Sequence, residues 1–301
     1  MKFVIKVLGL TLLLGIFFIL GAQLAGIEKV PLPAMTPATT PPAAPAGFFA
    51  PFLLFCLCVS TVMAYLAIRS GRYGFKLMAT LAFVMYSVMT VASQVESLFF
   101  LQSKMPLALI ERLFLQGAIT TLLFVPCVVI IMGQWRASDH EPPPAFNAVS
   151  VSDWLFRLAS TVLIFEFLYM FFGYYVAWQN PELRHYYGGG ELTGFVAALV
   201  NNWRTTPSIY ALQILRALLF FTCVLLIVRK FKGPRWEAAA ASSAFLTVWT
   251  LILLLPNPIM PPSIARSHFW ETFFCFLIFG AVLGWMLAGK AKPAAMTKTA
   301  P

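Results

Sequence analysis

Charge is scarce in this sequence. Asp, Glu, Lys and Arg make up 11% of its 301 residues, against roughly 25% in soluble domains. So few charges cannot cover a water-facing surface, which excludes a soluble globular domain. Acidic residues are the rarer sign, with 11 Asp and Glu against 21 Lys and Arg. The net charge of +10 raises nucleic acid as a partner. Placement excludes it, because the basic residues flank apolar runs and form no continuous patch. Cysteine is sparse too. Cys56, Cys58, Cys127, Cys223 and Cys275 all fall within apolar runs, with neither zinc-knuckle nor disulfide-framework spacing. Alternating apolar and polar stretches are missing, which excludes a transmembrane barrel. No Asn-x-Ser/Thr acceptor argues for a glycosylating compartment.

What the chain has instead is length of apolar run. Hydrophobic residues are 60% of the total and the mean hydropathy is +0.83. A bilayer core needs roughly 20 consecutive apolar helical residues. Eight runs qualify: Val7–Gly26, Phe48–Ile68, Leu77–Phe100, Leu107–Gly133, Trp154–Trp178, Ile209–Val228, Ala238–Pro256 and His268–Ala288. The expected fold is an all-α integral membrane protein, a polytopic helical bundle of about eight transmembrane helices. Lys2 and Lys6 ahead of the first run also fit a signal peptide. The stretch Ala22-Gln23-Leu24-Ala25-Gly26 is not a clean small-x-small site, and no lipobox cysteine is present. A retained first helix is therefore expected.

The connections orient the bundle. With the N-terminus inside, the cytoplasmic segments hold Lys2, Lys6, Arg69, Arg72, Lys76, Arg136, Arg229, Lys230, Lys232, Arg235, Lys290, Lys292 and Lys298. The external ones hold Lys29, Lys104, Arg184, Arg204 and Arg266. Thirteen against five predicts N-in and C-in by the positive-inside rule. Tryptophans near span ends, among them Trp135, Trp154, Trp178, Trp236 and Trp285, supply the aromatic belts that interfaces favour. A plasma membrane, of the bacterial inner-membrane kind, is the expected location, and the lipid bilayer the expected partner.

Three parts are expected along the chain. Residues 1–47 form a first helix and a Pro-rich external tether that holds it loosely, since Pro-rich segments are extended and solvated. Residues 48–289 form a seven-helix membrane bundle, and residues 290–301 a cytoplasmic tail. The run Pro142-Pro143-Pro144 separates the first four spans from the last four. The external loop 179–208 contains a glycine-rich hinge at Tyr186–Gly190. Leu192, Phe195, Val196, Leu199, Val200 and Trp203 follow at the spacing of one helical face, which predicts a short amphipathic helix on the outer membrane surface. It serves as a strut between spans five and six, or as a lid.

Function has to be read from the ionisable residues inside spans. Each costs at least ~2.5–3.5 kcal/mol near the bilayer centre on insertion scales, and so tends to face the bundle with a partner. They are Glu96, Glu111, Arg112, Arg157, Glu166, Arg216, His268 and Glu271. All but Arg157 fall in the outer half or at the centre. Polar residues continue them along helical faces: Tyr86, Thr90, Ser93 and Ser97 in span three, Arg112, Gln116 and Thr120 in span four, and Tyr210, Gln213 and Arg216 in span six. Ser243, Thr247 and Thr250 do the same in span seven. Lipid cannot satisfy such stripes, so spans three to eight are expected to surround a polar pocket open to the outer face.

Three uses of that pocket follow. In the first, it binds or transports a small anionic solute or lipid headgroup. Arg112 and Arg216 hold the anion because guanidinium forks match phosphate and carboxylate. Glu96, Glu166 and Glu271, with His268, balance charge or carry protons. In the second, the protein is a membrane-embedded enzyme acting on an envelope or lipid substrate with His268 and Glu271, which share a helical face. No second histidine lies in any span, so neither a metal nor a haem is expected, and no other cofactor is called for. In the third, the charges are structural, pairing across helices in an assembly protein with no small ligand.

Overall fold

The computed structural model describes residues 1–31, 47–136, 150–256 and 259–288. The Pro142–Pro144 run, the Asp139-His140-Glu141 triplet, the tail from Lys290 and most of the Pro-rich tether lie outside the described residues. Ten helices are built from the rest, and among the described residues there is no strand. Eight of the ten are long and apolar enough to cross a membrane. They are α1 (Lys2–Ala25), α2 (Phe49–Arg69), α3 (Gly74–Phe100), α4 (Leu107–Ile131), α5 (Val151–Ala177), α8 (Ser208–Val228), α9 (Arg235–Leu254) and α10 (Pro262–Leu287). Two short helices, α6 (Pro181–Tyr186) and α7 (Phe195–Thr205), lie between α5 and α8. The protein is an all-α polytopic bundle. An even number of spans puts the start of α1 and the end of α10 on one side, called here the basic face.

Local chemistry sets the helix ends. Pro106, Pro234 and Pro261 stand immediately before α4, α9 and α10, where the missing N–H costs nothing. Ser150 caps α5, its Oγ accepting from the Asp153 N–H at 3.1 Å, and Asn180 caps α6 by accepting from the Glu182 N–H at 2.9 Å. Gly26 ends α1 with φ +67°, the left-handed conformation that glycine takes without strain. Two spans carry a single wide turn: the Ala92 N–H reaches Ser87 O in α3, and the Trp178 N–H reaches Gly173 O in α5. Each wide turn accommodates an extra residue.

Small residues allow the closest packing. Gly280 and Gly284, one turn apart on α10, lie against Ser242 and Ser243 of α9. A Cβ on Gly280 would stand 2.7 Å from the Ser243 Cα. The Ser243 hydroxyl donates to Leu277 O across this contact at 2.7 Å. Without a hydrophobic driving force in lipid, close backbone approach and interhelical hydrogen bonds are what hold helices together.

The first helix departs from the expected loose tether. It packs along α4 and α2. Gln116 Nε2 donates to Phe18 O at 3.2 Å and Thr120 Oγ1 to Phe17 O at 3.4 Å. The Phe18 ring meets Phe52 and Phe55 of α2. Arg112 Nη1 donates to Ala25 O at the end of α1, where a cation meets the negative end of the helix dipole. The polar stripe of α4 is thus turned toward α1.

Candidate functional site

The site lies in the half of the bundle away from the basic face, where α3, α5, α8 and α10 meet. Two carboxylates, an arginine and a histidine are brought together in pairs. Arg216 on α8 donates from Nη1 to Glu96 Oε1 at 2.9 Å, and its Nη2 stands 2.8 Å from Glu96 Oε2. This is the two-pronged geometry that makes an arginine–carboxylate pair strong. Gln213, one turn earlier on α8, accepts a further bond from Nη1 at 2.8 Å. On α10, His268 Nδ1 lies 2.8 Å from Glu271 Oε2. His268 Nε2 lies 3.0 Å from the hydroxyl of Tyr187, which follows α6.

The pairs differ in access. The Arg216 side chain is 6% exposed, whereas that of Glu96 is 30% exposed. The carboxylate forms the open end of the pair and the guanidinium the closed end. Arg216 is surrounded by aromatic faces, its Cζ 5.8, 5.9 and 5.7 Å from the ring centres of Phe165, Tyr169 and Phe220. Such contacts favour a cation removed from water. Its Nε is buried and makes no hydrogen bond among the described residues, as does Gln213 Nε2. Each is a donor that burial leaves unsatisfied.

An aromatic layer closes the site on the basic-face side. Phe220 follows Arg216 by four residues, ~6 Å along the helix. It packs with Phe165 of α5 and Phe276 and Phe279 of α10, ring centres 4.8 to 6.2 Å apart. Phe165, Phe220 and Phe279 are fully buried.

On the side away from the basic face the cover is α6. Asn180 Nδ2 donates to Ser263 Oγ and Ser267 Oγ, both at 3.0 Å, and so fixes α6 to the first turns of α10. Tyr186 donates to Ile259 O at 3.0 Å. Tyr187 then lies over His268, its ring also meeting Phe100 and Trp178. Burial first, and then the charges of Tyr186, Glu96 and Glu271, raise the Tyr187 pKa well above its ordinary value. The phenol therefore keeps its proton. With His268 neutral and protonated on Nδ1, Tyr187 donates to Nε2 and Nδ1 donates to Glu271. With His268 charged, both ring nitrogens donate.

The sequence-predicted residues divide. Glu96, Arg216, His268 and Glu271 are brought together. Arg112 is not, being held at the end of α1. Glu166 also stands apart. Both of its carboxylate oxygens are buried with no partner among the described residues. Glu111 is exposed. Of the polar stripe of α9, Ser243 serves the contact with Gly280, while Thr250 bonds back to Thr247 O. Tyr187 and Asn180 were not singled out from sequence as site residues. The signal that marks them is Asn180-Pro181, a capping residue before a first-turn proline, which starts a helix ending just before Tyr187. The amphipathic helix α7 packs at the edge, Phe195 against Tyr175 of α5 and Trp203 against Tyr210 of α8, and leaves Val196 and Val200 exposed.

Among the described residues no group of three His, Cys, Asp or Glu is arranged to hold a metal ion. Comparison with protein-family models, curated proteins and solved structures finds no match. Fold and composition define a multi-pass helical protein of the membrane-spanning kind, with eight apolar helices suited to a lipid bilayer.

Proposed function

We propose that this protein binds a small anionic solute or lipid headgroup in its outer half, with Arg216 as the cationic centre and Glu96 as an internal stand-in for the ligand. The observation that carries this reading is the asymmetry of the pair. A buried guanidinium with an unused Nε–H faces a partly exposed carboxylate that occupies the position an incoming carboxylate or phosphate would take. Displacing Glu96 toward the exposed side would free the same fork for a ligand. His268 and Glu271, joined by a hydrogen bond beside the pair, would take or give a proton to keep the site neutral. The aromatic layer of Phe165, Phe220 and Phe279 supports binding from one face, and transport would require that layer to part.

The test is unfolding of the protein in mild detergent against a panel of inorganic phosphate, small carboxylates and phosphatidylglycerol. A ligand at about 100 times its Kd stabilises by ~2.7 kcal/mol. Stabilisation by an anion in the natural protein, lost in Arg216→Lys, supports the reading. Stabilisation that survives Arg216→Lys and Arg216→Gln refutes it. No stabilisation by any anion leaves pairing for packing as the role of these charges.

A second reading is supported by the file Tyr187, His268, Glu271. A carboxylate that orients an imidazole is the arrangement of an acid–base catalyst, here acting on an envelope or lipid substrate. It predicts turnover of a component of a membrane lipid extract, followed by mass spectrometry and absent with His268→Gln.

A further inference from the structure

On the basic face, two connections between spans are locked together. The turn from α2 to α3 carries Gly71, whose φ is +60°. It lies so close to the α8–α9 turn that a Cβ there would stand 2.3 Å from Lys230 O. The Lys232 N–H donates to Arg69 O at 2.7 Å, and the Lys232 ammonium donates to the Tyr73 hydroxyl. These contacts gather Arg69, Arg72, Arg229, Lys230 and Lys232 into one corner.

The corner contains one described carboxylate, Glu237, and it is already engaged. Arg69 and the Tyr65 hydroxyl both donate to it. Arg72 is left over. Its backbone N–H is bonded to Ser70 Oγ at 3.3 Å, but its Nη1 is buried with no hydrogen-bond partner among the described residues. Burial first, and the positive charge of Arg229 second, lower the Arg72 pKa from its ordinary value. A guanidinium nitrogen withdrawn from water beside a second cation is costly to leave unmatched. Around the corner Phe75 is 71% and Trp236 65% exposed, apolar and interfacial side chains at the ends of spans, where headgroups meet acyl chains.

We infer that the α2–α3 and α8–α9 turns form a second anion site, on the face opposite the Arg216 site, where the Arg72 guanidinium takes the phosphoryl group of an anionic lipid headgroup. Phosphoryl oxygens accept the two-pronged bonds that a guanidinium offers, and basic pockets between helix ends on the cytoplasmic side are where such headgroups are held. The flanking Phe75 and Trp236 favour a lipid over a free phosphate ion.

The experiment is native mass spectrometry of the full chain in mild detergent, with phosphatidylglycerol, phosphatidylcholine or inorganic phosphate added singly. The inference expects phosphatidylglycerol to be retained in preference to phosphatidylcholine. Retention should fall about tenfold or more in Arg72→Gln, the size of one charge-assisted hydrogen bond. It should fall less in Arg72→Lys, and should be unchanged in Arg204→Gln, which removes the same charge from the outer loop. Retained phosphatidylglycerol that inorganic phosphate does not displace identifies the lipid as the source. Phosphate bound alone, and lost with Arg72→Gln, keeps the phosphoryl site and assigns it a soluble occupant. Equal retention in the natural protein, Arg72→Gln and Arg229→Gln overturns the inference. Because Arg229 is exposed, its variant keeps the test alive if Arg72→Gln fails to fold. An unchanged Arg216→Lys result in this assay separates the site from the outer one.

Discussion

Arg112 and Arg216 lie in the half of the bundle away from the basic face on different helices, and they are used in opposite ways. Arg112 meets backbone: its guanidinium satisfies a carbonyl at the end of α1, beside Gly26. Arg216 meets a side chain: it is held by Glu96 and Gln213 against three aromatic rings. A carbonyl is a fixed, uncharged partner supplied by the fold itself. A partly exposed carboxylate is a charged partner that can move or gain a proton. The same residue type is therefore packing in one place and a candidate site in the other, and the partner decides which.

That comparison can be broken by substitution. The largest effect belongs to Glu96→Ala, which leaves the buried Arg216 charge uncompensated. Removing one member of a buried pair costs ~3–5 kcal/mol, and the exposure of Glu96 places the expected loss at or below the low end of that range. Unfolding in detergent measures it. The double variant Glu96→Gln with Arg216→Gln should be more stable than either single variant, because no charge is then stranded. Strict additivity in that cycle would show that the pair is not coupled. Next comes Arg112→Ala, expected to cost about 1.5–3 kcal/mol, the range for hydrogen bonds to charged groups. It should act mainly by loosening α1, read as faster proteolysis between α1 and α2. Gln116→Ala, which removes the neutral bond to Phe18 O, should cost about 1 kcal/mol. The smallest effect is expected for Arg112→Lys, since an ammonium can still reach the carbonyls at a helix end. Arg216→Lys loses the fork and should cost more. Equal costs for the two lysine variants would erase the distinction between them.

The spans were legible because twenty apolar residues in a row admit few structures. Their ends were less so: α10 begins at Pro262, six residues before His268, so His268 lies ~9 Å along the helix and not at its mouth. The site was legible in part, for a definite reason. Spacing along a helix fixes which residues share a face, but not which neighbour the face meets. Glu96, Arg216, His268 and Glu271 share a site because α3, α8 and α10 are neighbours there. Arg112 was grouped with them by depth and charge, yet its face meets α1, an apolar helix whose own sequence marks no preferred side. Tyr187 was hidden for the converse reason. Read as part of a glycine-rich hinge, it carried no sign of the turn that lays it over His268.

The wide turn at Ser87–Val91 has a consequence for descent. Before it and within it, Tyr86 and Thr90 of α3 face α4, where Thr90 abuts Gly117 and the Tyr86 hydroxyl reaches Phe114 O at 3.4 Å. After it, Glu96 faces α8. The added residue is what lets one helix serve both neighbours. Loss of a single codon in this stretch would restore an uninterrupted α-helix and rotate everything beyond it by about 100°, carrying Glu96 away from Arg216. A lineage one residue shorter here would retain eight spans and every charged residue, and would have lost the pair. Length between Ser87 and Val91, more than the identity of any one residue there, is the inherited character to compare among relatives.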